Sequence, residues 1–259
     1  MNYGFHLASA GVVTGMRRLD TIANNLANAQ TVGFKADFLN LEARRAENLE
    51  NGGLYHDANK ALDALGGGTL FKPSGIDLRQ GTLRQTGRNL DVALEGEGFF
   101  LVQNPGPAGT RDAFVTRAGE LARDRNNRLA LAGSGALIQG VDGLPITLDP
   151  EDPDVVIDAD GRVSQSGNEV GQLSIVRPAD IANLRKEGRD LMRILGGGTV
   201  AAAGNTAVKQ GALEESTVDP IAALSDLVKV SRGIEFSTRL MQYQDQMTGR
   251  LVDVFGRFA

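Results

Sequence analysis

Few residues of this chain belong to the types that do chemistry, and their spacing argues against most of what they could do. The 259 residues include no cysteine and two histidines. Disulfides, thiolate metal sites and a cysteine nucleophile are therefore excluded. His6 and His56 are too few for a histidine-based zinc site, and neither has a serine or aspartate at a spacing that makes a catalytic pair. Glu95 and Glu97, in "LEGEGFF", lie two apart on a turn and could face alike. A glycosidase needs two carboxylates about 5–9 Å apart, but no other residue here supports that chemistry. "GEGFF" (96–100) runs directly into strand formers, with no G-K-[S/T] and no helix behind it. It reads as a tight hairpin with close backbone approach, not a phosphate loop. The acidic run "DPEDPDVVIDADG" (149–161) lacks the glutamate that closes a calcium loop. It reads as a solvated loop followed by a hairpin turn at Asp160-Gly161. The expectation is a chain with no catalytic residue, no cofactor and no metal.

What, then, do the elements position? Net charge is −5 and pI about 5.2, without the clustered basic residues of a nucleic-acid surface. No run of apolar residues is long enough to span a membrane. The apolar "FHLASAGVV" (5–13) has no positive charge before it. It is not a secretory signal, so the chain is expected in the cytoplasm or to leave by a route needing no cleaved signal.

Residues 1–50 are helical in pattern. Val12, Met16, Leu19, Ile22, Ala23, Leu26 and Ala29 fall on one arc of about 160°. Leu19, Ile22 and Leu26 follow seam-like spacing. Asn24, Asn25 and Asn28 lie roughly opposite, a concentration of poor helix formers that is either a solvated face or a second interface. Gly33 fits just past a helix end. A second amphipathic piece could span 38–49. Residues 51–80, broken by glycines and Pro73, read as a connector. From 81 to 213, short strand-forming runs alternate with turns: 90–94, 99–103, 114–117, 144–148, 155–157, 162–166 and 171–176. Residues 181–195 could hold a helical turn or two, and 196–205 read as a flexible loop. Asp219-Pro220 starts a last helix, within a terminal segment of 214–259. That helix could run to about 256. Leu224, Leu227, Ile234 and Met241 recur near heptad spacing, and Leu240, Met247 and Leu251 continue an apolar stripe; such length without an internal cap points to a coiled coil. The expected fold is α+β: terminal helices in a coiled-coil-like bundle and a β-rich middle.

At this point the chain resembles a family. "LDTIANNLANAQTVGFKAD" (19–37) resembles the N-terminal signature of bacterial flagellar axial proteins (rod, hook and hook-associated subunits), L-D-x-I-A-N-N-L-A-N-x-x-T-x-G-F-K. "QGTLRQTGRNLDVALEGEGFF" (80–100) and "GALEESTVDPIAALSDLVKVSRGIEF" (211–236) resemble two further family blocks. Thr217 stands where the family usually has Asn, and Leu121 where it has an aromatic. The resemblance implies a structural subunit of the flagellar basal-body rod, nearer the proximal than the distal type, with hook subunits third. It implies helical polymerisation through the terminal helices, and export through the flagellar channel. The implied partners are other copies, other rod and hook subunits and the export apparatus, with no nucleic acid and no membrane insertion. The implied interface is Leu19, Ile22, Asn24, Asn25, Leu26, Asn28, Gly33, Phe34, Leu224, Leu227, Ile234, Leu240, Met247 and Leu251, the asparagines acting as polar locks between packed helices. The rivals are a peptidoglycan-cutting enzyme built on Glu95 and Glu97 and a cytoplasmic coiled-coil adaptor.

Overall fold

The computed structural model describes residues 3–43, 68–103, 114–195, 200–202, 204 and 206–256. The chain forms two compact units. One comprises 1–27, 37–76 and 219–259; the other comprises 28–36 and 77–218. The class is α+β, with two α-helices among the described residues, one at each end, and a β-rich middle.

The helical unit is built on α1 (Tyr3–Ala27) and α2 (Pro220–Gly256). At about 1.5 Å per residue, α2 is roughly 55 Å long. Its start is as the sequence reads: the Asp219 carboxylate accepts from the amides of Ile221 (2.9 Å) and Ala222 (3.2 Å), and proline takes the first helical position, where no amide is needed. Helix α1 stops at Ala27, short of Ala29. The 38–49 piece is not helical where it is described. Asp37–Phe38 pairs with Gly75–Ile76, and Leu41–Ala43 with Thr69–Phe71, both antiparallel. The Phe38 ring lies on the bare backbone of Gly75, a contact that an extended chain allows. Residues 44–49 lie outside the described residues.

The β unit centres on strand Phe99–Gln103. It pairs antiparallel with Phe114–Thr116, Leu137–Ile138 and Ile175–Pro178. The sheet runs outward through Leu191–Ile194 to Leu184–Glu187 on one side, and through Leu129–Leu131 to Leu121–Arg123 on the other. Val155–Ile157, Arg162–Gln165 and Asn168–Gln172 form a three-stranded meander. Its first turn is the one expected at Asp160-Gly161, with Gly161 at φ +80. Ala207–Gln210 pairs with Val92–Glu95, and Ala212–Glu214 with Leu83–Gln85. Alternating side chains send Phe100, Val102, Leu129, Leu131, Ile138, Ile157, Val163 and Leu173 into one core.

Several expected elements differ. Residues 144–148 make isolated bridges only, since Pro145 has no amide to give a ladder; Ile146 and Leu148 are nevertheless buried. The 181–195 segment is a short 3₁₀ turn, Ile181–Asn183, then a hairpin closed over Gly188 at φ +76. Within 196–205, Val200–Ala202 is a strand on Ile175–Pro178. The "GEGFF" turn joins strands of different sheets and is not a hairpin.

Candidate assembly surfaces

Small residues set the distance between α1 and α2. Gly4, Ala8, Gly11 and Gly15 recur at 4,3,4 spacing on one face of α1. Gly4 lies against Gln244, Gly11 against Ser237 and Gly15 against Ile234. Numbers rise on α1 as they fall on α2, so the helices run antiparallel. A Cβ added at Gly15 would collide with the Ile234 side chain, so the pairing is closer than larger residues allow. Facing it on α2, Ala223, Leu227, Val230, Ile234, Ser237, Met241 and Gln244 are buried or half-buried at strict 4,3 spacing. Leu227 and Ile234, expected at the assembly interface, thus lie on the face toward α1. Leu19, Ile22 and Leu26 are half-buried and continue the α1 stripe toward its C-terminal end.

Helix α2 carries a second apolar set. Ile221 (81% exposed), Leu224, Val228, Phe236 (64%), Leu240, Tyr243 (62%) and Met247 (59%) are open to solvent. At about 100° per residue these fall roughly opposite the seam that faces α1, interrupted by Arg232 and Arg239. Leu224, Leu240 and Met247, expected at the interface, therefore belong to this outer face. Leu251 lies on the helix backbone, but its side chain is outside the described residues. Phe236 and Tyr243 were missed by the sequence reading, although their separation of one heptad was a readable signal.

Two of the asparagines have partners within the chain that the structure describes. Asn25 holds the backbone of Asp37 at both ends: its amide donates to the Asp37 carbonyl (2.7 Å), and its carbonyl accepts from the Asp37 amide (2.9 Å). It acts as a surrogate strand residue that fastens the start of Asp37–Phe38 to the last turn of α1. Asn28 caps the turn after the helix, its side-chain oxygen accepting from the Thr31 hydroxyl (3.1 Å). Asn24 is exposed. Asn25 and Asn28 thus bond within the chain.

In the β unit, Gly33, Phe34 and Lys35 sit in a buried junction. Gly33 takes φ +66, and an added Cβ would strike the backbone of Arg117 and Ala118, so only glycine fits. Phe34 is buried, with the Lys186 ammonium 3.8 Å from its ring centroid. Lys35 is fully buried; its ammonium donates to the Glu214 carboxylate (2.5 Å) and the Arg79 carbonyl (2.5 Å). Glu214, also fully buried, accepts from the Gly81 amide (2.8 Å) and from Arg117 (3.1 Å). Burial pushes the Lys35 ammonium below its ordinary value, against the pull of Glu214, and lowers the Arg117 guanidinium likewise. No spacing signal could have found this cluster, because Lys35 and Glu214 stand 179 positions apart.

The carboxylates and histidines singled out in the sequence are placed as follows. Glu97 is open to solvent and ion-paired with Arg177 (2.9 Å), and Glu95 is exposed at a strand end. The cleft beside residues 30–32, about 540 Å³, has three carboxylates, of which Glu120 is bound by Arg88 (2.8 Å) and Glu187 lies near Arg193 (3.7 Å). His6 is exposed on α1, and His56 lies outside the described residues. Among the described residues no group of three or more His, Asp or Glu is placed to hold a metal ion. No described helix is long and apolar enough to cross a membrane.

Three family models match the chain: "Flagella basal body rod protein" over residues 16–35, "Flagellar hook protein FlgE/F/G D1 domain" over 93–165, and "Flagellar basal body rod FlgEFG protein C-terminal" over 209–254. Among similar curated proteins, the flagellar basal-body rod protein FlgF of Caulobacter vibrioides is 29% identical over 99% of both chains. The rod protein FlgG of Bacillus subtilis is 30% identical over 93% of this chain and 96% of its own. The FlgF of Rhizobium meliloti is 28% identical over 99% of both.

Proposed function

We propose that this chain, which belongs to the flagellar basal-body rod protein family and is a structural subunit of the rod, enters the rod through the outer face of α2. The observation that carries the reading is the two-sided apolar pattern of that helix: one stripe meets α1, and the other, roughly opposite, meets solvent. An exposed apolar face of this length is an interaction site. Covering it with helices of neighbouring subunits gives the coiled-coil-like bundle that the seam spacing implies. The covering surface differs from the covered one, so the contact is heterologous and repeats into an open helical filament. The partners are other copies and other rod or hook subunits. The route is the flagellar export apparatus, as for an axial subunit of this family.

Within the rod, a subunit of the FlgF kind fits best: the Caulobacter and Rhizobium relatives so named are covered over 99% of both chains, against 93% of this chain for the Bacillus FlgG. The proximal position rests on the wording of "LSDLVKVSRGIEFSTRLMQ" (224–242), which resembles proximal subunits more than distal ones. The family is structural, and the ion-paired, exposed Glu97 gives the wall-cutting rival no support.

The test places a charge in the outer stripe. Phe236→Asp and Met247→Asp should leave the purified monomer as helical as the wild type, because neither faces α1. Both should abolish incorporation into basal bodies, since a carboxylate buried in an apolar contact costs several kcal/mol. Thr238→Asp, exposed on the flank of α2, should be tolerated. Swimming cells carrying either stripe variant would contradict the reading.

A further inference from the structure

The buried junction holds two cations and one anion. Lys35, Arg117 and Glu214 have side-chain exposures of 0, 3 and 0%. Among the described residues, Glu214 is the carboxylate that both cations touch; Glu97 and Asp77 act on Arg117 and Lys35 from farther off, and Asp77 is itself bound by Arg79 (2.6 Å). Four short pieces of chain meet at this carboxylate and its backbone. The Gly33 amide donates to the Glu214 carbonyl (2.8 Å), the Thr217 amide to the Phe34 carbonyl (3.1 Å), and the Ala36 amide to the Thr217 hydroxyl (2.9 Å). Lys35 reaches the Arg79 carbonyl, the Gly81 amide reaches Glu214, and the Asp77 amide donates to the Ala36 carbonyl (2.8 Å). Arg117 supplies the fourth piece. The chain crosses from one unit to the other at 27/28, 36/37, 76/77 and 218/219. The last three crossings lie within a few residues in sequence of a group in this network.

We propose that Glu214 is a latch that gathers the segments 33–36, 79–81 and 214–217 at one point, and that Lys35 carries a charge surplus to closing it. Removing the carboxylate's charge strands two buried cations beside each other, the costly way to break a buried pair. Removing the Lys35 charge leaves one cation on one anion, with the Gly81 amide still bonded to it. Two bonds go with the ammonium, to Glu214 and to the Arg79 carbonyl; Glu214 keeps Arg117 and the Gly81 amide, and an under-satisfied carbonyl is tolerated better than an unpaired amide. Arg117 is not surplus in the same way: it also donates to the Gly96 carbonyl (2.6 Å) and lies over the Phe99 ring (5.2 Å). The latch is a property of the monomer and does not rest on the assembly reading.

Amide hydrogen exchange on the full-length monomer tests it. In Glu214→Gln, the amides of Gly33, Ala36, Gly81 and Thr217 should exchange at least about tenfold faster, while Phe99–Gln103 and Phe114–Thr116 keep wild-type protection. Lys35→Met should stay within about threefold of wild type at the same four amides. The double variant should exchange more slowly than Glu214→Gln alone, because one stranded cation is gone. Wild-type exchange in Glu214→Gln would overturn the latch. So would Lys35→Met opening as far as Glu214→Gln. Loss of protection in the core strands of Glu214→Gln, complete unfolding included, would make Glu214 a general stability residue and overturn the latch as well.

Discussion

A helix that gathers asparagines near its end loses some propensity, roughly 0.5–0.7 kcal/mol per site relative to alanine. Asn25 returns it by taking both backbone groups of Asp37, as a neighbouring strand would. Asn25→Ala should lower the stability of the helical unit by about 1 kcal/mol, because two half-buried backbone groups of Asp37 lose their bonds. Thermal unfolding of the purified monomer checks this; an unchanged midpoint would return Asn25 to a solvated face. Lys35 makes a pH prediction. Burial holds its folded value below 10.5, so between that lowered value and 10.5 the unfolded chain binds more protons than the folded one. Stability then rises with pH across the window. Below it both states are protonated and the penalty is complete. Urea titrations at increasing alkaline pH should show wild type gaining on Lys35→Met. At residue scale the sequence exposed the asparagines and Lys35 but not what they bond: neither the Asp37 backbone for Asn25 nor the Glu214 carboxylate for Lys35 could be read from spacing.

Elements were more legible. Asp219-Pro220 marked the start of α2 because capping is local chemistry, and Phe99–Gln103 and Val155–Ile157 stood where β-branched and aromatic residues cluster. The failures have physical reasons. Pro145 kept 144–148 out of a ladder. Tertiary pairing drew 41–43 and 200–202 into strands against their local patterns. The tightest helix contact was hidden because apolar stripes are sought among large residues, whereas here it runs through Gly4, Ala8, Gly11 and Gly15. Its register is testable. An ideal Cβ at Gly11 lies 3.8 Å from the Cβ of Ser237, the mean separation across a disulfide, about 3.8 Å. The chain has no cysteine of its own. Gly11→Cys with Ser237→Cys should therefore close a single intramolecular bridge under mild oxidation, seen as a mobility shift reversed by reductant. Failure to close would mean that the pairing register is wrong.

For the whole molecule, the division is between a β unit that buries its own core and a helical unit whose longer helix leaves one apolar face unfilled. The sequence resemblance named the family. It placed Leu224, Leu240 and Met247 in one interface with Leu227 and Ile234, and only the helix pairing separates the inner set from the outer. The central claim is that the outer set touches other subunits in the finished rod. A photo-crosslinking residue at Tyr243, in cells that build flagella, tests this most directly. Irradiated, purified basal bodies should yield an adduct between this chain and another axial subunit. The same probe at Ser237, against α1, should yield adducts within the chain only. Basal bodies that contain the Tyr243 probe yet give no intermolecular adduct would contradict the account.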